Sequence, residues 1–286
     1  MICGVRLLFV GDIVGSTGRR VLERLLPGLR ERHEPDWVVA NGENVAGGTG
    51  ITEKTAGAIF AAGVDAITLG NHAYKHRDVY GYLDREERIV RPANYHRSNP
   101  GRGHTVVERD GLRLAVVNLS GTVFLDAARS PFAEVDLVLS ELRGRADHVL
   151  VDFHAEATSE KVAMGWHLDG RVTACLGTHT HVATADARVL PGGTAYVTDV
   201  GMTGPRGGVI GTRREQALER FLTQMPVRFE VARPSSPASI STPFSHGSSC
   251  AVSSFTGIIV RKRSSDASRL APMTPPRAPV MPTSLM

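Results

Sequence analysis

Short apolar runs, each closed by a polar or glycine-rich loop, set the rhythm of the first part of this chain. Residues 7–10 run into Gly11-Asp12, residues 37–40 into Asn41-Gly42-Glu43-Asn44, and residues 65–69 into Gly70-Asn71-His72. Continuous apolar runs of that length fit strands buried on both faces. Between them the period changes. Val21, Leu22, Leu25 and Leu29 fall at helical spacing and predict a helix from about Gly18 to Arg32, and Thr52 can cap a helix through Ala62. Strand, polar loop and helix in repetition predict an α/β domain with parallel pairing and its loops gathered at the carboxyl edge.

The middle of the chain changes character. Residues 105–109 and 112–119 flank Asp110-Gly111, a dipeptide suited to a type I′ turn, and predict a hairpin. Further on, the pattern predicts a helix over 132–143, a strand over 148–153 that delivers His154, a short helix over 159–165 and a strand over 172–176. Residues 188–190 and 194–197 around Pro191-Gly192-Gly193 predict a second hairpin, followed by a helix over 213–223 and a last strand over 227–231. From Arg233 onward the composition shifts: eight of the sixteen prolines lie there, with frequent serine and a single acid, Asp266. Such a segment cannot build a core. The reading is therefore one domain over 1–232 and a Ser/Pro-rich basic tail over 233–286, mostly disordered, in which only 255–260 could form a strand, pairing on a sheet edge.

Composition adds limits. A chain of 286 residues, 42% hydrophobic and 22% charged, reads as soluble and globular and is long enough for a sizeable core. Residues 7–10 are too short for a signal or spanning segment, so no membrane partner is expected. Three widely spaced cysteines, Cys3, Cys175 and Cys250, suggest neither a disulfide framework nor a CxxC metal site, and a cytoplasmic location follows. Cys175, inside a strand, reads as a small core residue. The isoelectric point near 9.2 invites a nucleic-acid reading. Yet of the net charge of +4, residues 233–286 carry +5, leaving −1 for the domain. Nucleic acid is thus a partner through the tail only, by phosphate contacts that weaken steeply with salt.

The chemistry sits at the strand ends. Gly177-Thr178-His179-Thr180-His181 carries two histidines one residue apart, and alternation along an extended chain would point both imidazoles to one side, as a pair of neighbouring metal ions requires. Upstream, Asp12, Glu43, Asn71 and His154 each follow an apolar run. Taken singly, Asp12 could cap the next helix, Glu43 could be a solvated loop acid, Asn71 an ordinary turn residue, and His154 a hydrogen-bonded strand end. Carboxylate, amide and imidazole delivered repeatedly from strand ends are what a two-metal hydrolytic site needs. No GxGxxG follows the first strand, which argues against a dinucleotide-binding enzyme.

In order, Gly11-Asp12, Gly42-Glu43-Asn44, Gly70-Asn71-His72, His154 and Gly177-Thr178-His179-Thr180-His181 resemble the motifs of the calcineurin-like metallophosphoesterases. The longer stretches Arg91-Pro92-Ala93-Asn94, Asp152 to Lys161 and Thr198 to Pro205 are similar to the YmdB-type branch. The resemblance covers roughly residues 5–232. It implies a four-layer αββα sandwich around a dinuclear centre. One metal would be held by Asp12, Glu43, Asn44 and His181, the other by Glu43, Asn71, His154 and His179, with Glu43 bridging. Iron is the first expectation for the two ions, with manganese or zinc as alternatives. Two features depart from the wider superfamily: Asp12-Ile13-Val14 stands where Asp-x-His is usual, and Glu43 replaces the bridging Asp. Both also mark the YmdB-type branch. The tail departs from relatives that close with an ordered, strand-rich segment.

The resemblance implies hydrolysis of cyclic nucleotides, above all 2′,3′-cyclic nucleoside monophosphates, by a hydroxide shared between the metals. A protonated imidazole suits an alkoxide leaving group, which makes His72 the candidate general acid, or else a positioning group. Glu156, Thr158 and Ser159 would orient His154 and line the rim. The alternatives are a phosphomonoesterase acting on nucleotides or phosphoproteins, and a regulatory, RNA-associated protein with a non-catalytic metal site. A homo-oligomer is left open. No base-reading aromatic platform is evident, and the few candidates are Tyr74, Tyr80, Tyr95 and Phe124.

Overall fold

The computed structural model describes residues 5–232, 253–254 and 257–262. Its first half runs β1 (Val5–Val10), β2 (Asp12–Ile13), α1 (Gly15–His33), β3 (Trp37–Asn41), α2 (Glu53–Ala61), β4 (Ala66–Thr68), α3 (Tyr80–Arg85) and β5 (Ile89–Val90). The second half runs β6 (His104–Arg109), β7 (Leu112–Ser120), α4 (Pro131–Glu141), β8 (His148–His154), α5 (Thr158–Leu168), β9 (Ala174–Thr178), β10 (Arg188–Val189), β11 (Ala195–Val197), β12 (Met202–Pro205) and α6 (Arg214–Thr223). Two strands, β13 (Ser253–Ser254) and β14 (Gly257–Lys262), follow.

Local chemistry explains several boundaries. Thr52 and Thr55 form a reciprocal capping box at the start of α2, and Ser130 caps α4 with Pro131 at its first turn. Glu34 ends α1 in the left-handed region, where its N–H reaches Arg30 O at 2.8 Å. Asp110 and Gly111 both take positive φ, as a type I′ turn requires, and β6 pairs antiparallel with β7 across them.

Two large sheets result. One has the order β14-β1-β3-β4-β5, parallel from β1 to β5 with β14 antiparallel at the edge; the other has the order β10-β11-β9-β8-β7-β6, parallel from β11 to β7. A small third sheet joins β13, β12 and β2. Along β1, Leu7 and Phe9 share one core cluster with Trp37, Leu114, Val116, Leu150 and Leu176, so both large sheets contribute to it. Leu8 and Val10 point the other way, into a cluster with Leu22 and Leu26 of α1, Ile59 of α2 and Leu83 of α3. On the second sheet, Val117, Val151, Phe153 and Cys175 pack with Val135 of α4 and Met164 and Leu168 of α5.

The sequence pattern missed the short elements β2, α3, β5, β12 and β13, whose few residues carry no measurable period. The strand expected at 227–231 does not form. Val231 makes only an isolated bridge to Thr212, and Phe229 and Val231 are exposed, because alternation without a neighbouring strand has nothing to stabilise it. Of the strand expected at 255–260, residues 257–260 lie in β14, which pairs with the edge of β1, while 255–256 lie outside the described residues. So does most of the stretch expected to be disordered. Among the described residues no helix is long and apolar enough to cross a membrane.

Candidate metal centre

Register decides what meets at the carboxyl edges. Parallel pairing sets Ser120, His154 and Thr178 in one row across β7, β8 and β9, and Asn41 beside Thr68 across β3 and β4. Asp152, two residues before His154, is fully buried and ties the sheets together. Its Oδ2 accepts from Thr68 Oγ1 at 2.5 Å and Asn41 Nδ2 at 3.0 Å, and its Oδ1 from Thr178 Oγ1 at 2.7 Å. Burial pushes its carboxyl up despite those donors.

That bond also fixes His154. Thr178 gives its hydroxyl proton to Asp152, so its oxygen accepts at 2.9 Å from His154 Nδ1–H. His154 Nε2 therefore faces the site, where it lies 3.0 Å from Asn71 Oδ1, 3.0 Å from His179 Nδ1 and 3.2 Å from Glu43 Oε2. His179 is held in the complementary way. Its Nε2 lies 2.9 Å from the Glu156 carboxylate and donates to it, leaving the Nδ1 lone pair turned inward. Burial and the His154 charge lower His179 to about 4, keeping this ring neutral. Glu156 thus orients His179, whereas the pair Thr178 and Asp152 takes the part expected for Glu156, Thr158 and Ser159 at His154.

The two histidines do not follow β9 as an alternating extended strand. β9 ends at Thr178, and His179 and His181 take φ of +104° and +65°. Non-glycine residues in that region cost of order 1–3 kcal/mol and persist where the surroundings enforce them. Here the enforcement is visible. His179 N–H donates to Asp12 Oδ2 at 3.0 Å, and Thr180 N–H and Oγ1 donate to Asp199 Oδ2 at 3.1 and 2.7 Å. Asp199 is buried and ion-paired at 2.5 Å with Lys161 of α5, itself 2 % exposed, while its Oδ1 accepts from Gly201 N–H. Neither Lys161 nor Asp199 stood out as a functional residue in the sequence. A lysine on the buried face of a helix was the available signal.

The remaining expected residues converge on the same place. Glu43 is no solvated loop acid: it is 1 % exposed. Its Oε1 accepts from Asn44 Nδ2 at 2.8 Å and lies 3.1 Å from His72 Nδ1, and its Oε2 accepts from His72 N–H at 3.1 Å. His72 Nδ1 also lies 2.9 Å from Asn44 Oδ1, so that nitrogen carries a proton. His181 Nε2 lies 3.2 Å from Asn44 Nδ2 and 3.8 Å from Asp12 Oδ2. Ligand atoms of Glu43, His154 and His179 lie within 4.8 Å of one another.

The donors fit a cation. His154 Nε2 and His179 Nδ1 meet at 3.0 Å beside the Glu43 carboxylate, and a bound cation would take the place of the proton between them. Asp12 is fully buried, and its Oδ1 has no hydrogen-bond partner among the described residues. A Cβ on Gly70 would run into Glu43 Oε2 and the His154 ring, so the strand end leaves room there that only glycine preserves. The titration directions agree. Burial drives the Asp12 carboxyl well above its usual range, although His154 pulls it down. Burial also opposes ionisation of Glu43 and protonation of His154. Their mutual attraction prevails, so Glu43 lies well below its usual range and His154 rises to about 9. With protons as the only cation, the site takes one up.

Residues 8–244 match the family model described as YmdB-like protein. A 2′,3′-cyclic-nucleotide 2′-phosphodiesterase of Bacillus subtilis is 48% identical over 228 residues, covering 80% of this chain and 86% of that protein. A solved structure from Thermus thermophilus superposes with a TM-score of 0.76 at 40% identity, covering 90% of this chain and all of that one. A Mycoplasma pneumoniae structure described as a novel phosphatase gives 0.75 at 37% identity, with 82% and 85% covered. Identity and coverage at this level are those of family membership, and the chain belongs to the YmdB-like family.

Proposed function

We propose that this enzyme is a dinuclear-metal phosphodiesterase that opens 2′,3′-cyclic nucleoside monophosphates to monoesters. The observation that carries the reading is the meeting of His154 Nε2 and His179 Nδ1 at 3.0 Å beside Glu43, each ring fixed from behind by a carboxylate or by a hydroxyl bonded to one. Asp12, Glu43, Asn44 and His181 would hold one ion and Glu43, Asn71, His154 and His179 the other, with iron first and manganese or zinc as alternatives for this nitrogen and oxygen donor set. The three core clusters, one shared by both sheets and one under the helices on each outer face, favour the four-layer αββα arrangement. The 48% identity to a protein named for cyclic-nucleotide hydrolysis favours the substrate class.

Bound there, two cations would acidify a water and neutralise phosphoryl oxygens as charge shifts during in-line attack. The protein supplies the rest. His72, tethered through Nδ1 to Glu43 and Asn44, keeps Nε2 for the substrate and would give a proton to the ribose oxygen as its bond to phosphorus breaks. The buried ends of β3, β8 and β9 hold the ligands rigidly. The test is turnover of 2′,3′-cyclic AMP by metal-loaded wild type and Glu43→Gln. Loss of at least a hundredfold in the variant supports the reading, and unchanged turnover would sink it.

A further inference from the structure

Beside the metal centre lies a cavity of about 430 Å³, within the range of roughly 300–1,000 Å³ typical of small-ligand sites. Asn71, whose Oδ1 lies 3.0 Å from His154 Nε2, forms one wall, so the cavity borders the ligand cluster through that residue. Tyr74, Tyr95 and Phe124 supply aromatic walls, and His96 and Asp126 add polar edges. Three of the four aromatic candidates for base reading thus meet in one place. The fourth, Tyr80, braces Tyr74 edge-on at 5.6 Å and donates its hydroxyl to Tyr74 O.

The walls are unequal, and the difference is informative. Tyr74 and Tyr95 are half-buried, with ring centroids 6.2 Å apart, and Tyr74 is anchored by its hydroxyl on Pro100 O at 2.8 Å. Phe124 is 84 % exposed and sits at φ +65°. A phenyl ring so exposed, on a left-handed backbone, buries little of its apolar area within the protein. Its place at the mouth of an aromatic cavity, against the phosphate-handling site, suits a flat ligand ring that would cover it.

We propose that this cavity is the nucleobase subsite of the enzyme, with Phe124 and the paired tyrosines as its stacking surfaces and Asp126 facing the edge of the base. The assignment rests on the phosphodiesterase reading above and adds what holds the nucleoside. Stacking on aromatic rings tolerates any base, so the site favours nucleotides as a class over base-free diesters.

The experiment compares 2′,3′-cyclic AMP with methyl riboside 2′,3′-cyclic phosphate, which lacks the base, on wild type, Phe124→Ala and Phe124→Trp. The exposed position makes both variants safe for folding. Phe124→Ala should raise KM for the nucleotide about tenfold and leave the base-free substrate unchanged, while Phe124→Trp keeps the wild-type value. Equal KM for the two substrates in wild type, or an equal effect of Phe124→Ala on both, overturns the subsite. If wild type turns over neither substrate, the phosphodiesterase reading has failed. Calorimetric titration with adenosine 3′-monophosphate then decides the cavity: binding weakened about tenfold by Phe124→Ala upholds a base site, and no binding refutes it.

Discussion

Replacing Lys161 by methionine tests whether the buried ion pair beneath the histidine turn keeps the metal site in shape. Lys161 Nζ and Asp199 Oδ2 are 2.5 Å apart, and the same carboxylate takes the backbone and hydroxyl of Thr180, the residue between His179 and His181. Methionine keeps the apolar stem and deletes the charge, leaving Asp199 with the neutral donors Thr180 and Gly201. Removing one partner of a buried pair costs roughly 3–5 kcal/mol, and the surviving hydrogen bonds place the expected loss near the lower end, about 3 kcal/mol. At about 2–4 °C per kcal/mol for a domain of this size, the melting temperature falls by about 6–12 °C. The loosened turn should also cost about 10–100-fold in metal affinity. The assay is thermal unfolding and metal titration of wild type, Lys161→Met, Asp199→Leu and the double variant. The double variant should regain most of the stability, since no unpaired charge remains buried, but not the affinity, since Thr180 has lost its acceptor. A single Lys161→Met that melts within about 2 °C of wild type and binds metal unchanged would refute the reasoning.

Two further outcomes follow from the same geometry. Thr178→Val removes the hydroxyl that links His154 Nδ1 to Asp152 and should weaken metal binding by about 10–100-fold, read by competition with a chelator; unaltered affinity would mean that His154 is oriented by something else. For metal-stripped protein, the raised pKa of His154 stabilises the fold fully below its ordinary value of 6.5 and is lost as pH rises through about 9. Melting temperature should therefore fall across that window, by an amount worth up to roughly 3 kcal/mol, and His154→Gln should flatten the slope. A slope that is the same in the variant would assign the effect to other groups.

Much of this was legible in the chain because burial on both faces leaves a simple mark. Leu7 to Val10, Trp37 to Ala40 and His148 to Phe153 read as strands, and each strand end placed its Asp12, Glu43 or His154 at the cluster. What was not legible depends on contacts far apart in sequence or on backbone that breaks the period. His179 and His181 converge through positive φ and not through strand alternation, which no residue type there announces. Asp152 joining two sheets, Lys161 reaching Asp199 across 38 residues, and Phe124 meeting Tyr74 and Tyr95 are tertiary facts without a local signature. The strand expected at 227–231 shows the converse: its alternation is real, but pairing was needed to make it a strand.

The central claim is a centre built for two metal ions around Glu43. It is tested most directly by elemental analysis of the protein after equilibrium dialysis against excess Mn²⁺ or Fe²⁺ under reducing conditions. The account predicts two equivalents bound per chain at saturation. One equivalent or none would contradict it.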